Sequence, residues 1–322
     1  MSFVAPNLVY AVDEYGSTMR TFTVDLASGA ISTGIQAASS SGVVHLEFNK
    51  DHTRMVGAGY GSGKIEVWNV ENGGLKLIKT LVSDDHVGPN PSRQSSAHPH
   101  QSNLDPSGRF FVVNDLGTDK LLVIDSQKDS FNIVNHFSVT PAGAGPRHGA
   151  FYPTGSSKAT HYILACEIMN LVQVYEVTYT ATGLDFKQIQ SVPSFGTYPP
   201  ANGSTGAAGE LVLRGDDVYV SNRLTGRATD NIAHFAITKD SGGKVTGVKY
   251  LDQVSSGGKL PRMFSLGSDQ KTLFVGNQDG TNGVAVFGIE DGGKMSQPKA
   301  TLTLGTFGSQ PTNGPQFIQQ IA

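Results

Sequence analysis

Cysteine occurs once in the sequence, at Cys166, which excludes an intramolecular disulfide and any cysteine-based zinc or iron–sulfur site. Redox chemistry by a thiol pair is excluded with them. No apolar run approaches the roughly 20 residues that span a bilayer. Residues 1–6 lack a charged n-region followed by an apolar h-region, so the chain as written reads as cytoplasmic; secretion would require a signal peptide already removed. The formal glycosylation sequon Asn202-Gly203-Ser204 keeps that second history open. Charge of a single sign is also missing. The 24 Lys plus Arg stand against 27 Asp plus Glu without a run of either, which offers no electrostatic footprint to nucleic acid or an anionic membrane.

Cofactor motifs are absent too: there is no P-loop and no Gly-x-Ser-x-Gly nucleophile elbow. The stretch Gly57-Ala58-Gly59-Tyr60-Gly61-Ser62-Gly63 sits between strands with no helix N-terminus to aim at a phosphate, and reads as a turn. No cofactor is expected, and the expected ligand is a small molecule. Segments of helical period are scarce. Glycine, by contrast, is plentiful at 39 residues, alongside Ser, Thr, Val and Asn. That mixture predicts many short strands joined by tight turns, because glycine supplies the positive φ such turns need.

One theme recurs along the chain. An apolar strand leads through a Pro/Gly/Asp turn to a second strand rich in Val, Phe and Tyr, then through a polar loop to a third. The second and third strands read LVYAVDE and MRTFTVD from Leu8, FFVVND and KLLVID from Phe110, and LFVGNQ and VAVFGI from Leu273, with further copies from Met55, Tyr162 and Val218. The first strands carry anchors at Phe48, Leu104, Phe151, Leu211 and Leu266, 47 to 60 residues apart, which suits a four-stranded blade with variable loops. The expectation is an all-β fold, a single β-propeller domain over residues 1–322 with six four-stranded blades. The chain ends on Gly314-Pro315-Gln316-Phe317-Ile318, similar to the strand start Gly145-Pro146-Arg147-His148. A C-terminal strand pairing into the N-terminal blade would close the ring and remove its open edges. If Met1 to Pro6 supplies that strand instead, a seventh blade is partly missing.

Within a blade the first and second strands are antiparallel neighbours, so the start of the first and the end of the second share one end of the propeller. Four residues before each anchor stand Val44, His100, Arg147, Ala207 and Arg262, and the second strands end on Glu14, Tyr60, Asp115, Glu167, Arg223 and Gln278. Elsewhere the repeats use small and apolar types. These two columns are polar and differ from blade to blade, as a ligand-binding rim would. Two arginines, Arg147 and Arg223, could clamp a carboxylate or phosphate, or simply form salt bridges. Glu167, after the apolar strand ending in Cys166, could be a desolvated proton-transfer carboxylate of raised pKa or a partner for a nearby arginine. His100 lies two residues after His98, a spacing some metal pairs use, but no third ligand has a matching motif; no metal is expected, and acid–base work is the functional reading of His100. Arg262 and Asp115 are further substrate-binding candidates, followed by His148, Glu210 and Tyr60, with Gln278 and Glu14 as the remaining column members.

The segments HPHQSNLDPSGRFFVVNDLG from His98, GPRHGAFYPTG from Gly145 and KLPRMFSLGSDQKTLFVGNQ from Lys259 resemble the lactonase-type β-propellers, which include bacterial 6-phosphogluconolactonases and fungal carboxymuconate cyclases. The resemblance runs from about Val43 onward. It implies a seven-bladed ring and a catalytic set of one histidine, two arginines and one glutamate, which fall on His100, Arg147, Arg223 and Glu167. Relative to that pattern the N-terminus lacks about one blade. Fungal enzymes that resemble shortened propellers promote cofactor-free ring closures, including hetero-Diels–Alder couplings in tropolone–sesquiterpenoid pathways.

Three functions follow as expectations. The first is a cofactor-free lactonase or lactonising cyclase acting on a small carboxylate- or phosphate-bearing substrate, with arginines on the anion and His100 and Glu167 moving protons. The second is a natural-product cyclase promoting a pericyclic step by proximity and electrostatics. The third is a non-catalytic propeller that binds a protein, against which stand the differing charged columns and the absence of repeated Gly-His and Trp-Asp dipeptides, Trp68 being the one tryptophan.

Overall fold

Each of six antiparallel sheets is built from four consecutive strands. The computed structural model describes residues 1–83, 86–201, 205–308 and 314–321; the sequon at Asn202 lies outside them. Blade 1 comprises β1 (Ser2–Val4), β2 (Leu8–Val12), β3 (Thr18–Val24) and β4 (Ile31–Ala38). Blade 2 comprises β5 (Val43–Phe48), β6 (Arg54–Gly59), β7 (Lys64–Asn69) and β8 (Lys76–Val82). Blade 3 comprises β9 (Pro99–Leu104), β10 (Phe110–Asp115), β11 (Lys120–Asp125) and β12 (Asn132–Ser138). Blade 4 follows with β13 (Pro146–Tyr152), β14 (His161–Cys166), β15 (Leu171–Tyr179) and β16 (Leu184–Pro193). Blade 5 has β17 (Ala207–Arg214), β18 (Asp217–Arg223), β19 (Asn231–Lys239) and β20 (Val245–Ser255). Blade 6 has β21 (Lys259–Leu266), β22 (Thr272–Asp279), β23 (Asn282–Ile289) and β24 (Met295–Thr303). No helix of the described residues is long and apolar enough to cross a membrane.

The turn between first and second strands shows why the repeat folds this way. In blade 3 the Asp105 carboxylate accepts hydrogen bonds from the backbone N–H of Ser107 at 2.8 Å, Arg109 at 3.1 Å and Phe110 at 2.7 Å. Asn49 does the same in blade 2, accepting from Thr53 and Arg54. A short acceptor side chain that replaces backbone partners fixes the turn and its register. Gly108 completes the turn at φ +81°, where an L side chain would be strained.

Alternating residues of each blade pack against the next, giving five buried apolar clusters at the junctions of blades 1/2, 2/3, 3/4, 4/5 and 5/6. Trp68, Phe111, Tyr175 and Phe287 are fully buried in these layers. Each such side chain contributes on the order of 2–3 kcal/mol by leaving water.

The junction between blades 6 and 1 is built differently, and here one expectation is corrected. Among the described residues, the C-terminal segment adds no strand to blade 1. Ser2, Phe3 and Val4 already occupy the innermost position there, paired with Tyr10, Val9 and Leu8, so that place is filled. Residues 314–321 instead run along the face of blade 6: Gly314 donates its N–H to Gln278 O at 3.1 Å, and Ser268 donates its N–H to Gln320 Oε1 at 2.9 Å. The two end blades meet at the channel through the Arg262–Glu14 ion pair, Nη2 to Oε1 2.7 Å.

Candidate active site

Five blades carry a β-bulge at the same level of the innermost strand. The register against the second strand skips Val44 in blade 2, His100 in blade 3, Arg147 in blade 4, Gly209 and Glu210 in blade 5, and Arg262 in blade 6. A bulge inserts an unpaired residue and re-aims side chains. Here it lets consecutive residues such as Arg147 and His148, or Val44 and His45, line one central cavity of about 60 Å³. Proline precedes the bulged residue three times, as Pro99, Pro146 and Pro261, at a place where a missing N–H costs no ladder bond.

Buried carboxylates set the height of these strands. Asp115 accepts the N–H of His98 at 2.8 Å and those of Gly117 and Thr118, together with the Ser83 hydroxyl, and so fixes the start of β9. Asp119 accepts the N–H of Gly143 at 2.6 Å and Gly145 at 2.8 Å, just before Arg147. Asp230 reaches across to the Leu260 N–H at 2.8 Å, just before Arg262. Asp115 therefore positions the loop and does not line the cavity, which corrects its expected role as a substrate contact.

Two connected groups form the site. The first is a relay of hydrogen bonds: His148 Nδ1 lies 2.7 Å from Glu210 Oε1, and His148 Nε2 lies 3.1 Å from His100 Nδ1. A carboxylate only accepts, so Nδ1 of His148 carries its proton, Nε2 accepts from His100 Nδ1–H, and His100 Nε2 is left as a base. Burial, then the Arg147 guanidinium, holds His100 well below the usual imidazole range. Burial also lowers His148, opposed in part by Glu210. His45 completes the cluster, its ring edge-on to His148 with centroids 5.8 Å apart, and burial lowers it as well.

The second group is an arginine cage. Glu167 Oε2 lies 2.7 Å from Arg147 Nε and 2.8 Å from Arg223 Nη2, while Arg93 binds the other oxygen. Burial alone would raise the Glu167 carboxyl, but Arg223, Arg147 and Arg93 outweigh it and hold it far below the ordinary carboxylate range. Glu167 is thus the partner of the arginines and not a raised-pKa proton shuttle. The clamp expected of Arg147 and Arg223 closes on the protein's own carboxylate. Arg147 is 1% exposed, and its Nη1 has no hydrogen-bond partner among the described residues. Burial, then Arg223, brings its guanidinium down to about 9. Four arginines (93, 147, 223 and 262) and three glutamates (14, 167 and 210) leave one positive charge in excess around the cavity, so an anion is favoured there.

Of the expected residues, His100, Arg147, His148 and Arg262 line the cavity with Glu210, while Glu167 and Arg223 support Arg147 from behind. Tyr60 stands edge-on to His100 at 5.5 Å and stacks on His98 at 4.4 Å. Glu14 serves Arg262, and Gln278 holds the C-terminal segment through its carbonyl. Ala207 pairs regularly with Arg223, so blade 5 contributes Glu210 in its stead. Arg93 and His45 escaped the sequence reading. His45 was legible as the neighbour of Val44, but Arg93 lies in the irregular stretch between β8 and β9, where no repeat position marks it.

Below His45 on the same strand, burial pushes the Glu47 carboxyl up to about 8 from 4.5. Between those values the folded chain keeps a proton that the unfolded chain has lost, so stability falls across that window and the full penalty stands above it. Glu47→Gln is expected to raise the melting temperature by a few degrees at about pH 9 and to change it little at about pH 4. Equal shifts at both pH values would show that folding does not raise the Glu47 carboxyl.

Four-stranded blades around a channel with a histidine- and arginine-lined mouth define a β-propeller with a polar central site. The chain belongs to the family described as Lactonase, 7-bladed beta-propeller, which matches residues 3–308. The described residues form six blades, where the family's description names seven. A probable 6-phosphogluconolactonase of Arthroderma benhamiae is 31% identical over 273 residues, covering 82% of this chain and 66% of that protein. The chain thus spans just under two thirds of that relative's length. The 6-phosphogluconolactonase of Bacillus subtilis is 26% identical over 311 residues, covering 94% of this chain and 84% of its own. Among solved structures, a protein from Lactobacillus plantarum superimposes with a TM-score of 0.76 at 26% identity, covering 93% of this chain and 84% of that one. A putative 6-phosphogluconolactonase from Bacteroides fragilis gives 0.78 at 22% identity, covering 94% and 83%, a likeness of fold alone.

Proposed function

We propose that this chain is a lactonase whose own side chains supply the base and the oxyanion contacts. The observation that carries the reading is the Glu210–His148–His100 relay lining one cavity together with Arg147 and Arg262. His100 Nε2 takes a proton from water as the water oxygen bonds to the lactone carbonyl carbon. Arg147 and Arg262 stabilise the oxyanion that forms. The ring C–O bond then breaks, the proton on His100 passes to the leaving alkoxide, and a hydroxy acid is released. Run backwards, the same path closes a lactone. The relatives named 6-phosphogluconolactonase support the reaction class and make a phosphorylated sugar lactone the first substrate to assay.

Proton release from 6-phosphogluconolactone and from unphosphorylated δ-lactones is the direct test. Hydrolysis of one of them above the spontaneous rate is expected, and no acceleration with any would overturn the proposal. A second reading, a pericyclic closure of the hetero-Diels–Alder type, is favoured by one observation, a roomy cavity of largely apolar lining beside the polar one. Product formation from a diene and a dienophile, surviving His100→Gln, would mark that chemistry.

A further inference from the structure

We infer that the junction between blades 6 and 1 binds the apolar body of the substrate, whose reacting end lies in the histidine–arginine cavity. The assignment of the reacting end rests on the lactonase reading, whereas the apolar site rests on its own geometry. Phe3, Val9 and Phe22 are register partners across β1, β2 and β3, so their side chains form one row on the face of blade 1 turned away from blade 2. In the interior blades the matching face is covered by a neighbouring blade. Here it is only half-buried and fronts an open cavity of about 480 Å³, lined on the far side by Phe317 and Ile321. Ser2 and Gln319 are the polar side chains of the lining. A concave, apolar space of this size is that of a small-molecule site.

Two features tie it to the chemistry. Met1 and Phe317 line both this cavity and the polar one, so these two residues stand between them. The polar cavity is much the smaller of the two, at about 60 Å³ against about 480 Å³, so the bulk of a substituted ring has more room on the apolar side. The favoured ligand is therefore an amphipathic lactone, a small ring bearing an alkyl or other hydrocarbon substituent. Its ring would meet His100 and Arg147, and its hydrocarbon part would pass Met1 and Phe317 to rest on Val9 and Phe22.

Binding is separable from turnover by using alkyl-substituted δ-lactams, which mimic the ring and resist hydrolysis. Calorimetric titration of a series of increasing chain length is expected to show about threefold to fourfold tighter binding per added methylene, the fold-change equivalent to about 0.8 kcal/mol. Ile321→Asp, which puts a charge in the far wall, is expected to abolish that dependence. Ile31→Trp, at a position 67% exposed on the cavity rim and so tolerant of change, is expected to weaken binding of the longest chains. His100→Gln is expected to keep the chain-length dependence. Affinity that does not grow with chain length in the unmodified protein overturns the inference, as does a dimer that covers this face and is broken by Ile31→Asp. Length-dependent binding without hydrolysis of any lactone leaves the apolar site standing and removes the lactonase reading.

Discussion

Replacing Glu167 with alanine is expected to lower the free energy of unfolding by about 3–5 kcal/mol, because it leaves buried arginine charge without its counter-ion. Arg147 and Arg223 both lean on Glu167 Oε2 and are almost fully buried, so without the carboxylate they repel each other where water cannot screen them. Arg93→Ala is the matched control. Its side chain is 38% exposed, and its loss should lower stability by about 1 kcal/mol or less. Urea denaturation of both variants at neutral pH reads the difference. A small loss for Glu167→Ala would show that the cage is hydrated and that the arginines do not depend on it. The dependence on pH has the same origin. A carboxyl held far below its unfolded value of 4.5 contributes its full stabilisation above that value and loses it as the pH falls toward the folded one.

Substituting His100 with glutamine is expected to lower lactone turnover by about 10²- to 10⁴-fold, the range for removal of a general base, while the unfolding midpoint moves little. Glutamine keeps a hydrogen-bonding side chain opposite His148 but cannot take the proton from water. In the unmodified protein His100 is held neutral well below 6.5, so the base form persists on mild acidification. The rate is therefore expected to stay level as the pH is lowered through about 6.5 and to fall only further down. Glu210→Leu would remove the acceptor that fixes the His148 tautomer, and should lower kcat more than it raises KM. A rate that halves near pH 6.5 would show a base of ordinary imidazole pKa, and a His100→Gln enzyme of undiminished kcat would remove His100 from the reaction.

Much of the fold was legible because it repeats. The anchors Phe48, Leu104, Phe151, Leu211 and Leu266 all lie in innermost strands, and the strand-end column falls at one end of the ring. What sequence spacing could not supply was the bulge. Counting back four residues from an anchor lands on the bulged position in blades 2, 3, 4 and 6, but blade 5 skips two residues at once, and the count lands on Ala207 while Glu210 enters the cavity. The two roles left open for Glu167 differ only in how many arginines arrive. The third of them, Arg93, comes from a stretch with no periodicity. Asp115 reads like its column neighbours in sequence, yet the N–H groups of His98, Gly117 and Thr118 saturate it. Residues 314–321 imitate an innermost strand at their start, but the place beside β2 was already taken by Ser2–Val4.

Five junctions filled by apolar cores and a sixth held by a peptide segment and one ion pair make the ring, in energetic terms, a linear array bent until its ends meet. In such an array each unit is stabilised by its neighbours, and terminal units have only one full neighbour. Local opening should therefore begin at the two ends, and amide hydrogens of β1–β4 and β21–β24 should exchange with deuterium before those of blades 3 and 4. A ring that opens in this way can widen its sixth junction without unstacking the other five. An entering molecule would then displace one thin wall and leave the rest of the barrel of blades at rest.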